Sequence, residues 1–223
     1  LCDRRQRQMC IRDSMYEGVT QKEVEDYFNA IKDPNDPTPV SYGLNTKVVK
    51  RGDKVVEIPY MVGGLYSPAI ERIVENLEKA LPYAETLEQK KSIEELIRYY
   101  CTGDLKAFDE YSILWAGDTT PVVDFVNGFI ESYGDPLGMT GSWESIVNFK
   151  NQAASHRTEV VSSNAQWFED HSPVDPRFRK PHVKGVSAKV INAAILAGDA
   201  YPSTPIGINL PNSNWIRAAH GSK

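Results

Sequence analysis

Two short stretches carry the side chains that could do chemistry. In Gly128-Phe-Ile-Glu-Ser-Tyr-Gly-Asp-Pro-Leu-Gly138, Glu131 and Tyr133 follow an apolar run of Val122, Val123, Phe125, Val126, Phe129 and Ile130. Their i, i+2 spacing puts both side chains on one face of an extended segment. Gly134-Asp135-Pro136 reads as a turn directly after them. A carboxylate and a phenol aimed together from a strand end can form a binding or catalytic face. The same residues also fit a salt-bridged edge strand with its tyrosine at the surface, and residue types alone do not decide between the two. In the second stretch, Asn209 and Asn212 flank Leu210-Pro211. Pro211 fixes φ and lacks an N–H, so both amide side chains stand on a stiff backbone. Each offers a carbonyl acceptor, which suits an ammonium group; turn-stabilising asparagines would look the same.

The elements that must position these residues follow from periodicity. Thr20-Gln-Lys-Glu23 is a capping box opening a helix with Val24, Tyr27, Phe28 and Ile31 on one face. The β-prone runs Thr46 to Lys50 and Lys54 to Pro59 flank Arg51-Gly52-Asp53 and predict a hairpin. Three helices come next. One is capped by Ser67-Pro68 with the stripe Ile70, Ile73, Val74, Leu77 and Leu81, one starts at Thr86, and one is capped by Asp104 and runs to Trp115. The pattern then turns to strands over Pro121 to Tyr133 and Trp143 to Phe149. A single helix is expected over Asn151 to Asp170, a loop over His171 to His182, a strand over Val186 to Leu196, and a Gly/Pro/Asn-rich loop over Gly198 to Pro211.

Two of these stretches carry a resemblance. Gly128-Phe-Ile-Glu-Ser-Tyr-x-Asp-Pro136 resembles the signature of the dipeptidyl peptidase III family of zinc exopeptidases. Thr204-Pro-Ile-Gly-Ile-Asn-Leu-Pro-Asn-Ser-Asn214 is similar to that family's Pro-x-Gly-Ile-Asn-x-Pro-Asn segment. Trp115, sixteen residues before Glu131, sits at the offset of an aromatic subsite residue, and Tyr42-Gly-Leu-Asn45 and Val62-Gly-Gly-Leu-Tyr66 fit as well. The resemblance implies an α+β chain, mostly helical with a small β-barrel-like core, belonging to a two-lobed peptidase. It implies that Glu131, Asn209 and Asn212 clamp the free N-terminal amine of an oligopeptide. Tyr133 then donates to the scissile carbonyl as the catalytic residue, and Trp115 walls the first side chains. Ser132, Gly207 and Ile208 touch the substrate, because family members bind peptides partly as an added strand. The same set on a relative without zinc would make a non-catalytic peptide-binding or scaffold protein.

Zinc is the cofactor the resemblance implies, on a His-Glu-x-x-Gly-His helix with a later glutamate. That motif does not occur here. No pair among His156, His171, His182 and His220 has i, i+4 spacing, so no metal ligand is expected in this chain and the motif is expected beyond Lys223. Residues 1–14 (Arg/Gln-rich, without helical or strand period) look like a translated sequencing adapter. Residues 15–118 are expected as a mainly helical region with a hairpin, and 119–223 as a β-containing region with the cleft residues. The chain reads as an internal fragment, inactive alone.

The remaining bounds are broad. A formal net charge of −5 over 223 residues argues against nucleic acid or an anionic membrane as partner. Setting aside residues 1–14 removes four Arg and two Asp, leaving 21 basic and 28 acidic residues. It also leaves Cys101 as the one thiol, so no internal disulfide is expected and the cytoplasm is the expected compartment. No apolar run approaches the ~20 residues that span a bilayer.

Overall fold

The computed structural model describes residues 15–183, 189–202 and 205–223. The adapter-like segment, the strand expectation at Val186 and Ala188, and Thr204 lie outside the described residues. Where the chain is described, seven helices and two three-stranded sheets alternate. No helix is long and apolar enough to cross a membrane among them.

The first layer is small. Strand β1 (Tyr16–Glu17) pairs in parallel with β2 (Thr46–Arg51), which forms the expected hairpin with β3 (Lys54–Pro59). Helix α1 (Gln21–Ile31) begins at the capping box, in which the Glu23 carboxylate accepts from the Thr20 amide and the Thr20 hydroxyl accepts from the Glu23 amide. Its apolar face, Val24 and Phe28, packs with Tyr16 and Val48 into a separate core cluster.

The larger layer joins helices to the second sheet. Helix α2 (Ser67–Ala80), α3 (Leu87–Thr102) and α4 (Leu105–Gly117) follow one another. Thr86 and Asp104 cap α3 and α4 with their side chains, as their types predict. At α2 the cap differs from expectation. Tyr66 is the N-cap in left-handed backbone (φ 56°), and Ser67 is the first helical residue, its Oγ accepting from the Gly63 amide at 2.6 Å. Antiparallel strands β4 (Val123–Glu131), β5 (Ser142–Lys150) and β6 (Ile191–Gly198) lie in that order. Leu96, Tyr99, Tyr100, Ala107 and Tyr111 from the helices share one core with Val126, Phe129, Ile130 and Ile146 from the sheet. Burying such side chains contributes about 1.5–3 kcal/mol each. The junction is tight at Gly128, where an added Cβ would meet the Phe108 ring at 2.7 Å. The Tyr100 hydroxyl donates to Asn127 and accepts from Trp143 Nε1, so this buried phenol has partners on both strands of the hairpin.

Two expectations are corrected. The β-prone runs do not close into a barrel-like core: the hairpin of residues 46–59 packs on α1, whereas 123–150 packs on α3 and α4, giving two open sheets. A barrel needs its edge strands joined, and the two sheets share no strand pairing among the described residues. The single helix of residues 151–170 is two, α5 (Gln152–Ser163) and α6 (Ala165–Asp170). Asn164 stands between them at φ −100°, ψ 15° and its amide donates back to the Val160 carbonyl at 2.7 Å, the local competition that ends helices at asparagine. Helix α7 (Asn214–His220) packs against α4.

Candidate functional site

Strand β4 ends at Glu131, after a register irregularity between Phe129 and Glu131. Asp135 explains why the strand stops there. It is buried, and its carboxylate accepts from the amides of Leu137 (2.9 Å), Met139 (3.0 Å) and Thr140 (2.8 Å) and from the Tyr16 hydroxyl (2.5 Å). A carboxylate that gathers three amides folds the backbone around itself, and the Asp135 amide in turn donates to the Ser132 carbonyl. Tyr133 therefore lies in the turn rather than on the strand, so the expected common face of Glu131 and Tyr133 on an extended backbone is not formed.

The two side chains meet different surroundings. Glu131 and Ser132 line a cavity of about 930 Å³ with Trp115, Tyr111, Ile130 and Asn212. Tyr133 is 75% exposed, and its hydroxyl donates to Asp199 Oδ2 at 2.7 Å, just past β6. That hydrogen bond, followed by partial burial and the charges of Asp199, Glu131 and Glu144, pushes the phenol up to about 12. It stays protonated, and a donor, across the neutral range.

Opposite the strand end, the loop of residues 205–213 is held from its far side. Leu210 and Lys223 exchange two backbone hydrogen bonds, each 3.0 Å. The Lys223 ammonium pairs with Asp124 Oδ2 at 2.8 Å, donates to the Asp118 carbonyl at 2.7 Å, and lies 4.4 Å from the Trp115 ring centre. Trp115 Nε1 donates to the other Asp124 oxygen at 3.1 Å. Asp124 and Lys223 thus fix both the indole and the loop. Leu210 and Pro211 are buried, and the Asn212 amide donates to Glu131 Oε2 at 3.1 Å. With its donor directed at Glu131, Asn212 retains Oδ1 as an acceptor. Asn209 and Gly207 are exposed and Ile208 is half-buried against the core; none of the three lines the cavity.

Three carboxylates beside this rim carry no sequence motif. Asp199 holds Tyr133. Glu144, on β5 opposite Gly128 and Gly198, is 8% exposed and is pushed up to about 7 by burial and then by Glu131 and Asp199. Asp109, on α4, lines the cavity and is pushed up to about 7 by burial and then by Glu110 and Asp104. A signal existed for two of them. Glu144 is a charge inside a β-prone run, and Asp109 shares i, i+3, i+6 spacing with Ser112 and Trp115 on the buried helix face.

Chemically, the rim offers two kinds of acceptor side by side, the Glu131 carboxylate and the Asn212 amide oxygen, whereas the Tyr133 phenol lies outside the cavity lining with its proton on Asp199. The rim does not fit a metal. Among the described residues no group of three or more His, Cys, Asp or Glu could hold a metal ion. His156 pairs with Glu159 at the surface, and His171 stacks on Trp167 with ring centres 4.4 Å apart.

Several known proteins are similar to this chain. The model of peptidase family M49 matches residues 41–223. Human dipeptidyl peptidase 3 is 32% identical over 160 residues, covering 72% of this chain and 21% of that protein. The Dictyostelium discoideum dipeptidyl peptidase 3 is 31% identical over 163 residues, 73% of this chain and 23% of that one. The chain thus spans about a fifth of the length of the curated relatives it matches. Among solved structures, DPP III from Caldithrix abyssi superposes with a TM-score of 0.77 at 22% identity, over 93% of this chain and 39% of that one. Dipeptidyl-peptidase III from Corallococcus sp. strain EGB gives 0.72 at 21% identity, over 96% and 39%. The chain belongs to peptidase family M49, the dipeptidyl peptidase III family.

Proposed function

We propose that this chain forms one side of the peptide cleft of a zinc-dependent dipeptidyl peptidase that releases dipeptides from the N-terminus of oligopeptides. Glu131 and Asn212, joined by Asn209 when substrate is bound, take the free amine. Tyr133 gives its proton to a hydrogen bond with the scissile carbonyl oxygen, exchanging Asp199 for the substrate. Trp115 walls the first side chains, and Ser132, Gly207 and Ile208 meet the peptide backbone. The observation that carries this reading is the Glu131–Asn212 contact at the rim of a cavity walled by Trp115.

The residue types fit the task. A desolvated ammonium has three donors, and one carboxylate with two amide oxygens supplies three acceptors. A peptide without the amine leaves those acceptors unpaired, which costs about 1–3 kcal/mol per group, so an acetylated end is rejected. Dipeptide length then follows from the distance between this anchor and the hydrolytic centre. The described residues do not fit a zinc site, so in this reading zinc and the water it would activate belong to residues other than those described.

The test is to incubate the complete protein with an octapeptide and with its N-acetyl form, and identify products by mass. Successive dipeptides from the free peptide and none from the acetylated one are expected. Single amino acids, internal cleavage, or equal cleavage of both peptides would overturn the reading.

A further inference from the structure

Tyr133 follows β4 and Asp199 follows β6, so their hydrogen bond reaches across the end of the middle strand, β5. The two partners are held very differently. Asp199 stands on a fixed turn. Its amide donates to the Trp143 carbonyl at 3.0 Å, and the Tyr201 amide donates to the Gly198 carbonyl at 3.1 Å. Gly198 has φ 63°, and an added Cβ there would come within 2.1 Å of the Trp143 carbonyl oxygen, so only glycine brings the chain this close. Trp143 is itself tied down, its Nε1 donating to the buried Tyr100 hydroxyl at 2.8 Å. Ala200, on the other side of Asp199, is buried. Tyr133, by contrast, is three-quarters exposed in its turn. The carboxylate is therefore the stationary partner and the phenol the one that can swing.

A phenol has a single proton to donate. While that proton rests on Asp199 it is not available to a carbonyl oxygen. The two acceptors cannot share it either, because a carboxylate beside a developing oxyanion repels it. The charges that act on the phenol, those of Asp199, Glu131 and Glu144, are all acidic. This orientation thus opposes the chemistry that a donating tyrosine would serve.

We propose that Asp199 is a positioning residue that parks Tyr133 in a resting orientation, so that the phenol becomes a donor to the scissile carbonyl only once this hydrogen bond is broken. The proposal rests on the peptide-cleft reading above and deepens it by naming what restrains the donor. A charge-assisted hydrogen bond is stronger than one between neutral groups, and breaking it adds to the barrier of every turnover. A firmly anchored peptide offsets that cost with the contact it offers in exchange, whereas a loosely held one does not. The hydrogen bond to Asp199 then serves selectivity at the expense of rate.

The experiment is steady-state cleavage of the free-amine octapeptide by the complete protein and by Asp199→Asn, Asp199→Ala, Tyr133→Phe and the double variant Asp199→Asn with Tyr133→Phe. Asp199→Asn should raise kcat about three- to tenfold and leave KM unchanged, since it weakens a contact of the resting tyrosine rather than one with the peptide. Asp199→Ala, which removes the acceptor, should raise kcat at least as far. With Tyr133→Phe in place, Asp199→Asn should leave kcat where Tyr133→Phe alone puts it, because nothing is parked. Asp199 is exposed, and the unchanged KM checks that both variants are folded. A kcat that falls or stays level in Asp199→Asn, or an equal rise with and without the tyrosine hydroxyl, overturns the proposal. If Tyr133→Phe keeps the parent's kcat, the donor role itself fails and the proposal falls with it. If Tyr133→Phe loses activity while neither Asp199 variant gains any, the parking alone fails, so the two readings fail separately.

Discussion

Glu131 and Tyr133 are two residues apart and live in different worlds. Glu131 is still on β4, half-buried, with its carboxylate on a cavity rim and an amide from a distant loop upon it. Tyr133 is already in a turn, three-quarters exposed, with its hydroxyl on a carboxylate from beyond β6. The difference comes from Asp135, which gathers three amides and bends the chain before the strand can continue. One short sequence thus presents a carboxylate to a cavity rim and a phenol to the open surface.

The sharpest way to separate the two ends is at Tyr133. Tyr133→Phe in the complete protein should lower kcat by ~10²–10³ with little change in KM, the usual loss for one oxyanion donor. A parallel loss of binding would make the two ends alike. Asp135→Ala should cost on the order of 3 kcal/mol in a denaturant melt, since it strands several amides and the Tyr16 hydroxyl that now share one carboxylate. It should disturb Glu131 and Tyr133 together, as both depend on where the strand ends.

Smaller effects concern the carboxylates between the two ends. Glu144 is raised to about 7 by burial, then by Glu131 and Asp199. A raised carboxyl favours its protonated form in the folded state, so its contribution is complete below the unfolded value near ~4.3 and is lost as pH rises through about 7. Glu144→Gln should therefore be more stable than the parent by about 2 kcal/mol at pH 8 and nearly equal to it at pH 4, read from urea melts at both values. Asp199→Asn should have the smallest effect on the fold and a specific one on Tyr133. Losing the acceptor charge should bring the phenol from about 12 down toward its ordinary value near 10, followed by NMR of ring-labelled tyrosine with Tyr133→Phe as the assignment control.

How far the sequence carried the reading depended on range. Local signals were legible: the Thr20 capping box, the caps at Thr86 and Asp104, the hairpin around Gly52 and the strand run into Glu131 all form where side-chain type and period put them. The turn after Glu131 was read from Gly134-Asp135-Pro136, yet its effect on Tyr133 was missed, because it depends on Asp135 reaching amides up to five residues on and Tyr16 from another layer. Sheet closure was misread for a similar reason. Two β-prone regions look alike in period, and which helix each packs upon is a long-range matter. In the candidate site, Glu131, Trp115, Ser132 and Asn212 were found through motifs and do share one cavity. Asp109, Glu144 and Asp199 were not found, since each becomes noteworthy only through burial or a partner far along the chain.

The measurement closest to the centre of this reading compares a free-amine peptide with its N-acetyl form for binding to the parent protein and to Glu131→Gln. If Glu131 and Asn212 hold the amine, the parent should prefer the free peptide by about tenfold or more. Glu131→Gln should then lose most of that preference while binding the acetylated peptide as before. A preference that survives Glu131→Gln undiminished, or no preference in the parent, would contradict the clamp and leave the cavity with a different ligand.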